Sequence, residues 1–193
     1  MLSLGFGLTI AARRGSPRAP NLWTFPSALD NAVWTKTRAT VTPDADGVAD
    51  KLVEDTTATN THLLGRTSAG VDNATFTFSG EFKAVERGRL ALFFFDADAL
   101  TNSIQVDVNL TARTTGQILA GAATLSVRTA TLLSDGYVRV VVQGVANTGG
   151  SGGLINWQLR IGNATGVLSY TGDGASGLLV RNLGLAQGST PAT

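Results

Sequence analysis

Cysteine is absent from this 193-residue chain, and histidine occurs once, as His62. Without cysteine there is no disulfide framework, no thiolate metal site and no thiol nucleophile. A single histidine cannot build a His-based metal site, and no G-x-S-x-G elbow supplies it with a serine nucleophile. His62, in the strand-like stretch NTHLLGRT, therefore reads as structural or solvent-facing. Charge is scarce as well: 15% of residues are charged and the net charge is +1. That balance lacks the basic footprint of a nucleic-acid binder, and Arg13, Arg14 and Arg18 form the only basic cluster. The apolar amino terminus, MLSLGFGLTI, falls short of the roughly 20 residues that span a bilayer. Its arginines follow the apolar run, whereas a signal peptide carries its positive charge in front. Helical periodicity is weak everywhere, with one short turn expected in PSALDNAVW.

What the chain does have is apolar content, 43% of residues, distributed in strand-like alternation. Phe76, Phe78 and Phe82 alternate with polar residues in ATFTFSGEFKA. Ile104, Val106, Val108 and Leu110 do the same in SIQVDVNL. In LINWQLRIG, Ile155, Trp157, Leu159 and Ile161 oppose Asn156, Gln158 and Arg160. RLALFFFD and GYVRVVVQGV are nearly continuous apolar runs, the pattern of central strands covered on both faces. Gly, Asn, Asp and Ser punctuate the runs at TSAGVDN, SDG and NTGGSGG. Many short strands with turn signals and almost no helix predict an antiparallel β-sandwich or barrel over residues 21–193. Residues 1–20 read as an extended arm and linker. Leu2, Leu4, Phe6, Leu8 and Ile10 recur at every second position, and RRGSPRAP then breaks the pattern. Such an apolar edge suits attachment or oligomerisation by strand addition.

The motifs that would carry chemistry mostly dissolve on inspection. Gly172, Gly174 and Gly177 have the spacing G-x-G-x-x-G, but a dinucleotide site needs them to open a helix within a βαβ unit. Here LLVRNLGLAQ follows, so the glycines serve a turn and no cofactor is expected. Asp44, Asp46 and Asp50 are candidate calcium ligands in PDADGVAD, which lacks the distant glutamate of an EF-hand; Asp96 and Asp98 pose the same question. Glycosidase chemistry requires two facing carboxylates. Glu54, Glu81 and Glu86 are available, yet strand spacing gives no reason to pair any two, and no catalytic set is assigned. Aromatic rings can stack on the apolar face of a sugar. Trp157 and Trp34 are in phase with core residues, which leaves Trp23 and Tyr170 as the ligand-binding candidates.

Four segments taken together resemble the carbohydrate-binding-module-like jelly-roll domains that recur in tailed-phage virion proteins. NLWTFPSALDNAVWTKTRATVTPDADGVADKLVEDTTATNTHLL is similar to the family's opening, and TFTFSGEFKAVERGRLALFF to its central strand pair. NLTARTTGQI with LLSDGYVRVVVQG resembles its Asp-Gly-Tyr/Trp-x-Arg strand, and YTGDGASGLLVRNLGLAQGSTPAT its closing strand and tail. Leu179 and Val180 stand where relatives often carry aromatics. The resemblance covers Asn21 to Thr193. It implies an all-β, antiparallel jelly-roll-like sandwich, a non-enzymatic role as a virion structural protein (head decoration, head fibre or spike, or tail-fibre subunit), and localisation in the virion. The implied partners are other virion subunits, further copies of the chain (the family expectation is a trimer) and a cell-surface glycan, with neither nucleic acid nor membrane. A free saccharide-binding module outside any virion is the alternative.

Overall fold

A computed structural model of the chain describes residues 19–69, 71–96, 101–146 and 154–191. The apolar arm residues Leu2, Leu4, Phe6, Leu8 and Ile10, and Asp98, lie outside the described residues. Among the described residues twelve strands account for the regular structure, in chain order β1 (Thr35–Thr37), β2 (Ala39–Thr42), β3 (Asp50–Glu54), β4 (Leu63–Ala69), β5 (Phe76–Ala84), β6 (Arg89–Asp96), β7 (Ser103–Asn109), β8 (Thr114–Ala120), β9 (Thr124–Leu132), β10 (Val138–Val145), β11 (Leu154–Gly162) and β12 (Gly177–Gln187). No helix occurs among the described residues, and the PSALDNAVW segment forms successive turns instead. The strands make two antiparallel sheets of six, ordered β1-β4-β11-β6-β7-β8 and β2-β3-β12-β5-β10-β9. The chain crosses between sheets at seven of the eleven strand connections, and its last two strands enter the middle of each sheet. This is a jelly-roll β-sandwich.

The alternation in the sequence explains which faces meet. Phe76, Phe78 and Phe82 of β5 are buried against Leu90, Leu92 and Phe94 of β6 and the even-numbered valines of β10. At the centre, Trp157 of β11 packs with Phe78 across the sheets at 5.5 Å between ring centroids. Trp23 and Trp34, from the chain ahead of and leading into β1, close the cluster. Trp23 lies 5.0 Å from Trp157 and 5.3 Å from Trp34. Arg66 seals its edge: the guanidinium is 4.9 Å from the Trp34 ring and donates to the Thr24 carbonyl at 2.7 Å. Gly80 makes room for this packing, since a Cβ there would stand 2.8 Å from Leu183 and 2.9 Å from the Phe82 ring.

Two departures from simple alternation have local causes. In β12, Leu178 and Val180 face the core, but so do Leu183 and Leu185, an odd-numbered pair. The register shifts between Arg181 and Gly184, with Asn182 at φ 51°, so one bulge switches the inward parity midway along the strand. In β6, the run RLALFFFD is not covered on both sides. Phe94 is buried, whereas Phe93 and Phe95 are half-exposed on the outward face. β10 likewise buries Val138, Val140 and Val142 and leaves Val141 half-buried outside.

Trp157→Ala should remove the element that spans both sheets and leave a cavity bounded by Trp23, Trp34 and Phe78. The expected cost is about 3–5 kcal/mol in denaturant unfolding. An unchanged midpoint would mean that this cluster does not hold the sheets together.

Candidate functional site

The sequence candidates for ligand binding fare differently. Trp23 is a core residue, 2% exposed, with its ring enclosed by Trp34, Phe78 and Trp157 and its indole N–H donated to Ser68 Oγ at 2.5 Å. It offers no open ring face, because residues 19–34 fold back over the sheet rather than standing clear of it. This corrects the expectation for Trp23.

Tyr170 is half-buried within an ionic knot at one end of the sandwich. Its hydroxyl donates to Glu54 Oε2 at 2.5 Å, and the His62 ring lies 5.0 Å from its own. Glu54 terminates β3 and is 1% exposed. Arg87, from the β5–β6 turn, donates to it through Nε and Nη2 at 2.8 and 2.5 Å, and the Asp173 N–H adds a further bond at 3.0 Å. Burial alone would push the Glu54 carboxyl up, but the Arg87 guanidinium, the Tyr170 hydroxyl and the Asp173 amide together hold it below the usual carboxylate range. Burial and the Glu54 carboxylate in turn push the Tyr170 phenol well up. His62 is fully buried beside them, with Nδ1 2.8 Å from the Arg38 carbonyl and 3.2 Å from Asp55 Oδ1, and Nε2 3.3 Å from the Tyr170 carbonyl. The glycines of the GDG stretch fit this knot: a Cβ on Gly172 would stand 1.9 Å from the Asp55 carbonyl oxygen. They serve close packing in a loop, and Tyr170 makes only an isolated bridge to Asn60 there.

The remaining carboxylates are also occupied. Asp50 accepts from the Leu29 and Asp44 amides at 2.6 and 3.1 Å. Asp46 accepts from the Val48 and Ala49 amides and, at 2.7 Å, from the Tyr137 hydroxyl. Of the three calcium candidates, Asp46 and Asp50 thus bind protein donors that shape their own loop, while Asp44 is exposed; no metal-binding group occurs among the described residues. Glu81 pairs with Arg181 and Glu86 with Lys51. Asp96 is buried, with a partner of its own.

A different surface has the composition of a recognition site: the outward face of the first sheet. Antiparallel pairing sets its residues in rows. One row is Thr35, Gly65, Gln158, Phe93, Gln105 and Ile118; the next holds Arg160, Ala91, Asp107 and Gly116; a third holds Thr67, Asn156, Phe95 and Ser103. The polar groups brace one another laterally. Arg160 Nε donates to Gln158 Oε1 at 2.9 Å, Gln105 to Asp107 at 2.8 Å, and Thr67 Oγ1 to Asn156 Oδ1. The Arg160 guanidinium lies 4.3 Å from the Phe93 ring centroid, and Phe93 and Phe95 are 5.2 Å apart. Two clefts open on this face. One, of about 170 Å³, runs over Gly65 between Thr35, Thr67, Asn156 and Gln158. The other, of about 330 Å³, lies over Gly116 and Asp107 and is walled by Arg89 and the Thr165–Gly166 loop. Glycine on the floor of each leaves depth that a side chain would fill.

Sequence reasoning identified the outward phase of β11 and β7 but not their alignment with Phe93 and Phe95, because three consecutive phenylalanines conceal the alternation. The two strand glycines, Gly65 and Gly116, were the available signal.

No family model matches the chain, and no curated protein matches it. Solved structures resemble it in fold. The enzymatically active domain of tailspike protein 4 from bacteriophage CBA120 is 14% identical, with a TM-score of 0.49 over 86% of this chain and 21% of that one. The CBM22-1 xylan-binding domain of Paenibacillus barcinonensis Xyn10C is 12% identical, with a TM-score of 0.48 over 90% and 97%. TmCBM61, solved with β-1,4-galactotriose, is 9% identical, with a TM-score of 0.47 over 88% and 100%. The chain spans about a fifth of the tailspike structure and a quarter of a similar arabinofuranosidase.

The knot around Glu54 should make stability acid-sensitive. A carboxyl whose folded pKa is depressed contributes stability above its unfolded pKa, about 4.3, and loses it as pH falls through the folded value. Glu54→Gln should therefore lower stability at pH 7, on the order of 1–3 kcal/mol, and flatten the decline below pH 4. Parallel acid-unfolding curves for the two proteins would remove Glu54 as the source.

Proposed function

We propose that the chain is a non-enzymatic saccharide-binding β-sandwich, displayed on a phage virion as a head-decoration, fibre or tail-fibre component. The observation that carries the binding half is the outward face of the first sheet, where partly exposed phenylalanine lies beside a braced set of amides and one carboxylate, with two clefts flanking them. A pyranose has an apolar C–H face and a rim of hydroxyls. Phe95 offers the matching apolar surface; Asn156 opposite it and Gln158 and Gln105 in the next row offer donors and acceptors, with Asp107 one row further along. Such groups, prearranged on a rigid sheet, bind at little entropic cost. The non-enzymatic half is supported by the pairing of the candidate acids: Glu54, Glu81 and Glu86 each hold a cation. The virion half is supported by the family resemblance over Asn21–Thr193 and by the apolar alternation of residues 2–10.

Binding is tested with a glycan array probed with the full chain, followed by titration calorimetry on the glycan retained. Phe95→Ala should weaken that complex by about 1–2 kcal/mol with an unchanged melting temperature. Equal affinity in the variant would remove this face as the site. The virion role is tested by detecting the chain in purified particles. Deleting residues 1–18 should abolish that association while leaving the melting temperature nearly unchanged. Absence from particles, with glycan binding intact, would leave a free saccharide-binding module.

A further inference from the structure

The outward face of the first sheet brings two arginines, Arg160 and Arg89, close together on paired strands. Three cations elsewhere hold carboxylates, whereas Lys36, Arg38, Arg66 and Arg128 are held by carbonyl, hydroxyl or amide oxygens. Arg87 holds Glu54 and Asp173, Arg181 holds Glu81 and Asp135, and Lys51 holds Glu86. On this face Arg160 and Arg89 have no carboxylate partner among the described residues. Each is instead tethered by its Nε, Arg160 to Gln158 Oε1 at 2.9 Å and Arg89 to the Ala164 carbonyl at 3.2 Å. Both side chains are thus fixed in position, while the Nη groups at their ends have no protein acceptor among the described residues.

Their placement converges. Arg160 pairs across the β6–β11 ladder with Ala91, two residues from Arg89 on the same outward face. Diagonal neighbours in an antiparallel pair lie roughly 7–8 Å apart, within reach of two long side chains. Ala91, opposite Arg160, is the small residue between them on this face of β6, and Arg89 walls the larger cleft. Phe93 supports the Arg160 guanidinium from one side, and burial pushes that group below its usual pKa. A half-buried cation without an anion carries an unrecovered desolvation cost, which an incoming anion relieves.

We propose that this face takes an acidic saccharide, a uronic-acid-containing glycan whose carboxylate is received between Arg160 and Arg89; the inference rests on the saccharide-binding reading above. A guanidinium presents a planar fork of N–H donors that matches a carboxylate in two parallel bonds. Asp107 refines the class. It pairs with Ala91 from the opposite side, so it faces the same space and accepts from sugar hydroxyls. It also repels additional negative charge, which favours a singly charged carboxylate over a sulfate- or phosphate-dense glycan.

The test immobilises oligogalacturonate and oligoglucuronate beside their carboxyl-reduced, neutral forms and beside heparin-type sulfated oligosaccharides, and probes them with the full chain. The expected result is retention of a uronate, at least tenfold weaker for its reduced form and for Arg160→Gln. Arg89→Gln should weaken it as well, and binding should fall severalfold between 0.05 and 0.5 M salt. Arg160→Lys should recover only part of the loss, since an ammonium lacks the fork. Unchanged thermal melting keeps the variants interpretable. If neutral forms are retained as well as acidic ones, saccharide binding stands and the acidic class is wrong. Preferential retention of the sulfated probes overturns the carboxylate assignment and the part given to Asp107. Retention of nothing overturns this inference, while the wider array above decides separately whether the face binds any saccharide.

Discussion

Three tryptophans and a phenylalanine from three separate stretches of chain meet between the sheets, and the remaining architecture is arranged around them. Trp157 belongs to the first sheet, Phe78 to the second, and Trp23 and Trp34 to the segment that enters the sandwich. Their centroid separations of 5.0–5.9 Å belong to tilted and edge-to-face contacts among the tryptophans and between Trp23 and Phe78, and to a stacked one between Phe78 and Trp157. Committing every tryptophan to the core has a direct functional consequence. None of the three tryptophans presents an open ring face at the surface.

The parts of the fold legible in the sequence are those where one period holds from end to end. β7 and β11 bury their large apolar residues on alternate positions, β5 keeps Phe76, Phe78 and Phe82 in one phase although Thr77 and Ser79 are buried as well, and Trp34 and Trp157 are core residues as their phase implies. Three kinds of position resisted. In β12 a bulge exchanges the inward parity, and sequence periodicity does not record which residue bulges. In β6, consecutive phenylalanines fill both faces, so a half-exposed strand reads as a fully covered one. Trp23 has no flanking strand to give it a phase, and its burial depends on a turn-rich segment closing over the sheet, a tertiary event. The ionic knot was hidden for a similar reason: Glu54, Arg87 and Tyr170 are far apart in sequence and meet only because three loops end at one rim.

The molecule thus handles charge in two ways on two surfaces. At the rim, Glu54 is withdrawn from water and saturated with donors, an arrangement that is costly to disturb and suited to fastening loops. On the outward face of the first sheet, polar groups are braced laterally but keep their outer valences open. The first arrangement fixes shape, and the second leaves the polar groups of a rigid sheet turned toward solvent.

The topology also constrains how the chain comes to be folded. β11 pairs with β4 and β6, and β12 with β3 and β5, so neither sheet is continuous until residues 154–187 are in place. On a ribosome adding roughly 5–20 residues per second, the first 150 residues wait for several seconds as strands separated by gaps where the two central strands belong. Such gaps expose hydrogen-bonding edges of β3, β4, β5 and β6, the positions most prone to pairing with another nascent chain. Productive folding of this sandwich is therefore a late, cooperative closure, and crowding among simultaneously translated copies is the circumstance in which it is most exposed to error.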